Sequence, residues 1–237
     1  MKKLVVLLLI IGVVYWWTLP QTVKGPRSVH EYEYIVRTSS SNSPDMLPMV
    51  IALHGNGDTP ANFFETLLNK SDYPARYVMI KGPLDFGGGT AWPMDVTGLR
   101  DYGDALADAL PVLLQRFPTA GRPVIIGFSG GAFMAYYLAA AHGELFSYIL
   151  PLSGGLPSAL VQKNRARNDN WAQVIAFHGT RDQVIGFGQG RAAVMNLRQQ
   201  GVDAELIPFN GDHIDVFRSE NSLILDRLRS VLTHLAP

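Results

Sequence analysis

Cysteine is absent from this sequence, and its absence excludes several kinds of site. The 237 residues contain no cysteine, which rules out disulfide bonds, thiolate metal sites and a cysteine nucleophile. A lipid anchor attached to an N-terminal cysteine is excluded for the same reason. Covalent catalysis by this chain would therefore have to use a different side chain.

An excess of charge of either sign is also lacking. Twenty basic and twenty acidic residues cancel, and the sequence contains neither a basic stripe nor a known nucleic-acid-binding module. We therefore expect no nucleic-acid partner. With 47% hydrophobic residues, the chain is long enough for one domain with a sizeable buried core.

The one long hydrophobic run is short for a membrane span. Lys2 and Lys3 precede residues 4–17, which contain no charged side chain; a helix that crosses a bilayer needs about 20 apolar residues. The pattern predicts that residues 1–19 are a secretory signal. No small-x-small cleavage site follows the run, so an uncleaved signal anchor is an alternative to a cleaved signal peptide. Both interpretations export the protein to the periplasm or medium, or tether it to the membrane through residues 4–19.

The remaining chain alternates between strand and helix patterns. Residues 20–28 are predicted to be a linker, and residues 29–237 to be one domain. Polar and apolar residues alternate at 29–37, as in a half-exposed strand, and continuous apolar runs typical of buried parallel strands follow at 48–53, 78–80, 123–126, 148–152 and 174–177. Residues 204–208 have a more mixed pattern and are predicted to be the final strand. Helical patterns lie at 61–69, 99–117, 130–142, 187–200 and 222–235, with Pro111 expected to kink or divide the second. This order favours a mostly parallel sheet with helices on both faces.

A candidate nucleophile lies at the junction of a strand pattern and a helix pattern. Ser129 stands in the sequence Gly-Phe-Ser-Gly-Gly-Ala, after the apolar run at 123–126 and before the helical pattern at 130–142. A nucleophile elbow requires this strand–turn–helix context, with small neighbours that allow close backbone approach. The following helix N-terminus would place positive partial charge where an oxyanion forms. The pattern predicts Ser129 as a nucleophile.

A serine nucleophile needs a base and an acid that orients the base. In the α/β-hydrolase order these partners follow the serine, each after a strand. Asp182 follows the apolar run at 174–177, and His213 follows the last strand pattern. The rival acids Asp212, Asp215 and Asp203 are less suitable: the first two are too close in sequence to His213, and Asp203 precedes a strand. We expect His178 to hold the acid loop in place.

The segment His54-Gly55-Asn56-Gly57-Asp58 follows an early strand pattern. A second oxyanion donor is expected from such a loop, and we assign it to the backbone N–H of Asn56, beside that of Gly130. A metal site at His54 and Asp58 is an alternative without a supporting ligand cluster. We expect neither a metal nor a cofactor.

Two other segments affect access to this site. Residues 81–95 are rich in glycine and proline and are predicted to be a long loop, in which Phe86 and Trp92 would form an apolar wall for the substrate. Only about twenty residues separate the strand patterns at 148–152 and 174–177. This connection is too short for a large lid domain.

Four motifs together resemble one known family. HGNGD, GFSGGA, HGTRDQV and GDH are similar to the blocks HG-x-G-D, GFSQGGA, HG-x-x-D-x-V and G-H of the lysophospholipase/carboxylesterase/acyl-protein thioesterase family. The resemblance implies an α/β-hydrolase fold, with Ser129, Asp182 and His213 as triad and Asn56 and Gly130 as oxyanion donors. The sequence departs from the family pattern after the serine, where it lacks the usual glutamine, and after the final histidine, where isoleucine follows. The stretch SGGAFMAYYLAA also resembles secreted polyester depolymerases and feruloyl esterases.

The sequence thus predicts a serine ester hydrolase that works through an acyl-enzyme intermediate on a small acyl ester, with thioesters as a related substrate class. A serine peptidase or amidase on the same fold is an alternative within the enzyme class. A catalytically inactive, membrane-tethered binding module is the alternative from a different class.

Overall fold

A computed structural model describes residues 20–38, 46–161 and 170–235 of the chain. The predicted signal segment at 1–19 lies outside these residues. Among the described residues, no helix is both long and apolar enough to cross a membrane.

The described residues form ten strands and five α-helices. The strands are β1 (Gln21–Lys24), β2 (Glu31–Thr38), β3 (Met49–Leu53), β4 (Arg76–Ile80), β5 (Leu84–Phe86), β6 (Gly89–Ala91), β7 (Val124–Phe128), β8 (Tyr148–Leu152), β9 (Gln173–Gly179) and β10 (Ala204–Phe209). The helices are α1 (Pro60–Thr66), α2 (Val96–Arg116), α3 (Gly130–His142), α4 (Phe187–Gln199) and α5 (Asn221–Thr233).

Eight strands make one sheet in the order β1-β2-β4-β3-β7-β8-β9-β10. Strands β1 and β2, and β2 and β4, pair antiparallel, whereas all other neighbours in this sheet pair parallel. The carboxyl ends of parallel strands meet at one edge of a sheet, and sites in open α/β sheets lie beyond that edge. The loops after β3, β7, β9 and β10 are therefore brought to the same side of the molecule.

Helices cover both faces of the sheet, as the sequence predicts. Met49, Ile51 and Leu53 of β3 point into one core, which they share with α2, α3 and α4. Val50 and Ala52 of the same strand point into the other core, with α1 and α5. This two-sided burial explains why the central strands are apolar throughout. The mostly parallel α/β architecture is confirmed.

Helix α3 is the most deeply buried helix. Its residues 130–141 are all buried, and its first residue follows Ser129 directly. The serine is therefore fixed to a helix that cannot move without disturbing the core.

Three predictions about local structure differ from what is observed. The expected linker at 20–28 contains β1, which pairs with β2 and buries Val23. The expected loop at 81–95 contains the hairpin of β5 and β6. Pro111 does not divide α2, which is continuous from Val96 to Arg116; the proline ring lies on the exposed side of the helix.

Candidate active site

Ser129 occupies a strained turn between β7 and α3. Its backbone has φ 50° and ψ −113°, a left-handed value that costs energy for a residue with a side chain. The turn also needs small neighbours, because a Cβ added at Gly131 would lie 2.6 Å from the carbonyl oxygen of His54. This is the local geometry of a nucleophile elbow, which presents the serine hydroxyl at the end of the strand.

His213 bridges Ser129 and Asp182. Its Nδ1 lies 2.7 Å from Asp182 Oδ2, and its Nε2 lies 3.0 Å from Ser129 Oγ. Because a carboxylate only accepts hydrogen bonds, Nδ1 carries the proton and Nε2 is free to accept from the serine hydroxyl. Three residues from loops after β7, β9 and β10 thus form one hydrogen-bonded chain.

The carboxylate of Asp182 is buried and fully bonded. It is 4% exposed, and its Oδ1 accepts from the backbone N–H groups of Val184 and Ile185, both at 2.9 Å. These donors stabilise the ionised carboxylate and fix its orientation. The rival acids make other contacts: Asp212 Oδ1 accepts from the N–H of Ile214, and Asp215 Oδ2 accepts from the N–H of Asp212.

His178 lies behind the acid. Its Nε2–H donates to the carbonyl of Ile185 at 2.7 Å and lies 3.3 Å from Asp182 Oδ2. Burial lowers the pKa of His178; the nearby carboxylate of Asp182 acts in the opposite direction and does not outweigh it. The neutral imidazole therefore ties the acid loop together, in agreement with the expectation from the sequence.

The loop that carries Asn56 passes directly beside Ser129. A Cβ added at Gly55 would lie 2.7 Å from Cδ1 of Phe128 and 3.6 Å from Cβ of Ser129. The N–H of Ser129 itself donates to the carbonyl of Leu152 at 3.0 Å, so it is not available to a substrate oxygen.

His54 anchors this loop through both of its ring nitrogens. The N–H of Gly82 donates to its Nε2 at 2.9 Å, so Nδ1 carries the proton and donates to the carbonyl of Gly55 at 2.7 Å. Burial lowers the pKa of His54 and keeps the ring neutral. In the described part of the chain no group of three or more potential ligands could hold a metal ion.

The two residues predicted to form an apolar wall behave differently. Phe86 is 60% exposed and would lie 3.6 Å from a Cβ at Gly57, so its ring borders the Asn56 loop. Trp92 is only 1% exposed, and its Nε1–H donates to the carbonyl of His54 at 2.9 Å. The prediction for Trp92 as a wall of an open site is therefore wrong, because the indole supports the loop from the interior.

Phe128 received no role from the sequence but contacts the site directly. Its ring centroid lies 4.9 Å from that of His213 and 4.7 Å from that of Phe217. The phenyl ring therefore limits where the imidazole can move. Its position next to the serine was the only available signal, since the contact joins the end of β7 to the distant loop after β10.

Residues 106–224 match the model of the phospholipase/carboxylesterase family. This match covers half of the chain and includes Ser129, Asp182 and His213. The chain belongs to the phospholipase/carboxylesterase family. It is accordingly a serine hydrolase of the carboxylesterase type.

Individual relatives of this phospholipase/carboxylesterase family member agree with the assignment. Acyl-protein thioesterase 1 homolog 1 from Dictyostelium discoideum is 28% identical over 185 residues, which cover 68% of this chain and 80% of the relative. Among solved structures, esterase PE8 has a TM-score of 0.69 at 21% identity and covers 89% of this chain and 100% of that chain. Acyl-protein thioesterase 2 from Zea mays has a TM-score of 0.67 at 24% identity and covers 83% and 98%. At these identities the two structures support the fold alone.

Proposed function

We propose that the chain hydrolyses carboxylic esters through an acyl-enzyme intermediate on Ser129, with His213 as general base and Asp182 as the acid that orients it. The observation that carries this proposal is the pair of hydrogen bonds made by His213, at 2.7 Å to Asp182 and 3.0 Å to Ser129. An imidazole in this position can take the serine proton as the hydroxyl attacks a carbonyl.

The reaction has two steps. In the first, Ser129 Oγ bonds to the substrate carbonyl carbon, its proton moves to His213 Nε2, and that proton then passes to the departing alcohol. In the second, His213 Nε2 removes a proton from water, and the water oxygen attacks the acyl-serine carbonyl carbon. The bond between that carbon and Ser129 Oγ then breaks, the proton passes from His213 to Ser129 Oγ, and the carboxylic acid is released. Asp182 stabilises the transient imidazolium and remains ionised throughout.

The negative charge that develops on the carbonyl oxygen requires hydrogen-bond donors. We assign these to the backbone N–H groups of Asn56 and Gly130. Gly130 is the first residue of α3, so its N–H has no acceptor within the helix and lies at the positive end of the helix dipole. Loss of one such donor typically costs about 2.7–4 kcal/mol of transition-state stabilisation.

The acyl group is proposed to lie against exposed apolar side chains on the loops of the site. Phe86 borders the Asn56 loop, Val184 follows Asp182 closely, and Ile214 is adjacent to His213; all three are exposed. Such a rim favours an acyl chain over a charged substrate. The name of the Dictyostelium relative makes thioesters a second substrate class, because the same mechanism expels a thiolate.

A substrate panel tests this proposal. Initial rates are measured with p-nitrophenyl esters from acetyl to dodecanoyl, an acyl thioester and an aminoacyl anilide, with Ser129→Ala as control. We expect turnover of the esters, weaker or no turnover of the anilide, and loss of all activity in Ser129→Ala. Anilide cleavage that exceeds ester cleavage would identify a peptidase instead, and full activity of Ser129→Ala would remove the proposed nucleophile.

We further propose that the protein is exported, either released or tethered to the membrane through residues 4–19. The support is the pair of lysines followed by an uncharged apolar run. Intact-mass analysis of the protein from cell fractions tests this. Recovery of the full-length chain from the soluble cytoplasmic fraction alone would contradict it.

A further inference from the structure

The side chain of Asn56 pairs with the backbone of Trp92 as another strand would. Asn56 Oδ1 accepts from the N–H of Trp92 at 2.8 Å, and Asn56 Nδ2–H donates to the carbonyl of the same residue at 3.4 Å. The backbone contacts next to it continue the pattern: the N–H of Gly57 donates to the carbonyl of Thr90, and the N–H of Thr90 donates to the carbonyl of Asp58, both at 2.9 Å.

The partner of this amide is itself held firmly. The buried indole of Trp92 donates to the carbonyl of His54, two residues before Asn56. Trp92 therefore holds the loop at two points, through His54 by its side chain and through Asn56 by its backbone. A loop tied in this way has little freedom to rotate its peptide groups.

The same Asn56 side chain lies against Gly130. A Cβ added at Gly130 would overlap Asn56 Oδ1 and would lie 2.6 Å from its Cγ. The backbone of Gly130 does not have a positive φ, so an L-residue is acceptable to the backbone there. The neighbouring asparagine is thus the obstacle to any side chain at this position.

We propose that the Asn56 side chain is a positioning residue that sets the distance between the two oxyanion donors, and that residue 130 is glycine because Asn56 occupies the space of its Cβ. This inference rests on the proposed function, in which the N–H groups of these same two residues bind the oxyanion. The amide of Asn56 is hydrogen-bonded to the backbone of Trp92 and packs against Gly130. It therefore fixes the position of one donor relative to the other.

The departure from the family pattern has a physical reason on this account. The family usually carries glutamine after the nucleophile, whereas this chain has Gly130 there. A glutamine at 130 would need the space that the Asn56 amide fills. The two positions therefore depend on each other.

An amide is the group that this contact requires. Trp92 offers one donor and one acceptor, and asparagine supplies the complementary acceptor and donor. Aspartate would retain the acceptor but would place a second oxygen opposite the carbonyl of Trp92, near the developing oxyanion. Alanine would remove both bonds while leaving the backbone N–H of residue 56 in place.

A double-mutant cycle tests the inference. We compare kcat and KM for p-nitrophenyl acetate in the wild type, Asn56→Ala, Gly130→Ala and the double variant. Because a small displacement of a donor costs transition-state binding, each single variant is expected to lose about 10- to 100-fold in kcat with KM within about twofold. Gly130→Ala acts by displacing Asn56, so in the Asn56→Ala background it should cost less than about threefold.

Independent losses would overturn the inference. If the loss of kcat in the double variant equals the product of the two single losses, the contact between residues 56 and 130 does not determine the distance between the two oxyanion donors. Full activity of Asn56→Ala, or a change in KM alone, would have the same meaning. Asn56→Asp is expected to lose more kcat than Asn56→Ala, and equal or better activity of Asn56→Asp would also contradict the account.

Controls separate this inference from the proposed function and from loss of fold. Asn69→Ala and Gly188→Ala make the same changes at exposed positions, and both should retain wild-type kcat. Thermal unfolding is measured for every variant, and Asn56→Ser replaces Asn56→Ala if the latter does not fold. A fluorophosphonate that labels wild-type Ser129, together with inactive Ser129→Ala, supports the proposed function even if the cycle fails; absence of both results would refute the function itself.

Discussion

Asp182 illustrates how much of the site is decided by a single side chain. Its two oxygens accept from Val184, Ile185 and His213, with His178 close by. Each contact orients the carboxylate toward the Nδ1–H of His213. The acid thereby selects the one tautomer in which His213 Nε2 can accept the serine proton.

Replacement of this acid by its amide should be severe. Asp182→Asn is expected to lower kcat by about 10³- to 10⁴-fold, because the asparagine NH₂ group can favour the tautomer with the proton on Nε2. Asp203→Asn, at a rival acid with an exposed side chain, serves as the matched control and should retain activity. Steady-state kinetics on a p-nitrophenyl ester gives both values. A large loss in Asp203→Asn with an active Asp182→Asn would contradict the acid role of Asp182.

The sequence predicts some of these residues better than others, for a physical reason. Ser129, Asp182 and His213 each follow a predicted strand, and parallel strands bring their loops to one edge. The inward orientation of Trp92 and its bonds to His54 and Asn56 link positions 36 and 38 apart in the chain. No local pattern encodes such contacts, so the wall predicted for Trp92 was wrong while the convergence of the three loops was predicted.

At the level of elements, the deeply buried segments were predictable and the short, largely exposed strands were not. Helix α3 and strand β8 match the predicted segments residue for residue. Strand β1 has four residues and buries only Val23 fully, so its sequence does not differ from a linker. Its strand conformation depends on pairing with β2, which is a tertiary effect.

Helix α4 offers a matched pair of glycine substitutions. Gly188 is exposed, and a Cβ there would have no atom within 4 Å; Gly188→Ala should therefore stabilise the protein by about 0.5–1 kcal/mol through helix propensity. A Cβ at Gly190 would overlap His178 Nδ1, so Gly190→Ala should destabilise by about 1–3 kcal/mol. Urea unfolding measures both free energies. Equal effects of the two changes would contradict the packing of α4 on His178.

At the level of the whole molecule, the candidate site lies at the edge of the sheet where the parallel strands end and the following helices begin. Six neighbouring parallel strands, β4, β3, β7, β8, β9 and β10, run in one direction. Ser129 lies between the carboxyl end of β7 and the amino end of α3. The architecture therefore provides both the exposed hydroxyl and the positive end of a helix.

Two buried neutral histidines make the stability of the whole domain depend on pH. The pKa values of His54 and His178 lie below their ordinary value because both rings are buried. The unfolded chain binds protons near its ordinary histidine pKa of about 6.5, and the folded chain does not. The stability contribution is therefore present above pH of about 6.5 and is lost as pH falls toward the lowered values, by up to about 1.4 kcal/mol per pH unit for each histidine.

Urea unfolding between about pH 7.5 and about pH 5.5 measures this dependence. His178→Gln should lower stability at the higher pH but should flatten the slope, because one of the two proton-binding groups is removed. His234→Gln, at an exposed position near the end of α5, is the comparison variant. A slope that is unchanged in His178→Gln would contradict the buried neutral state of this ring.

Covalent labelling shows whether Ser129 is an activated nucleophile. The folded protein is treated with a fluorophosphonate, and the site of attachment is located by peptide mass analysis, with Ser129→Ala and His213→Ala treated in parallel. We expect one adduct on Ser129, none in Ser129→Ala, and greatly slowed labelling in His213→Ala. A folded wild-type protein that stays unlabelled, or that carries the adduct at another residue, would contradict this role of Ser129.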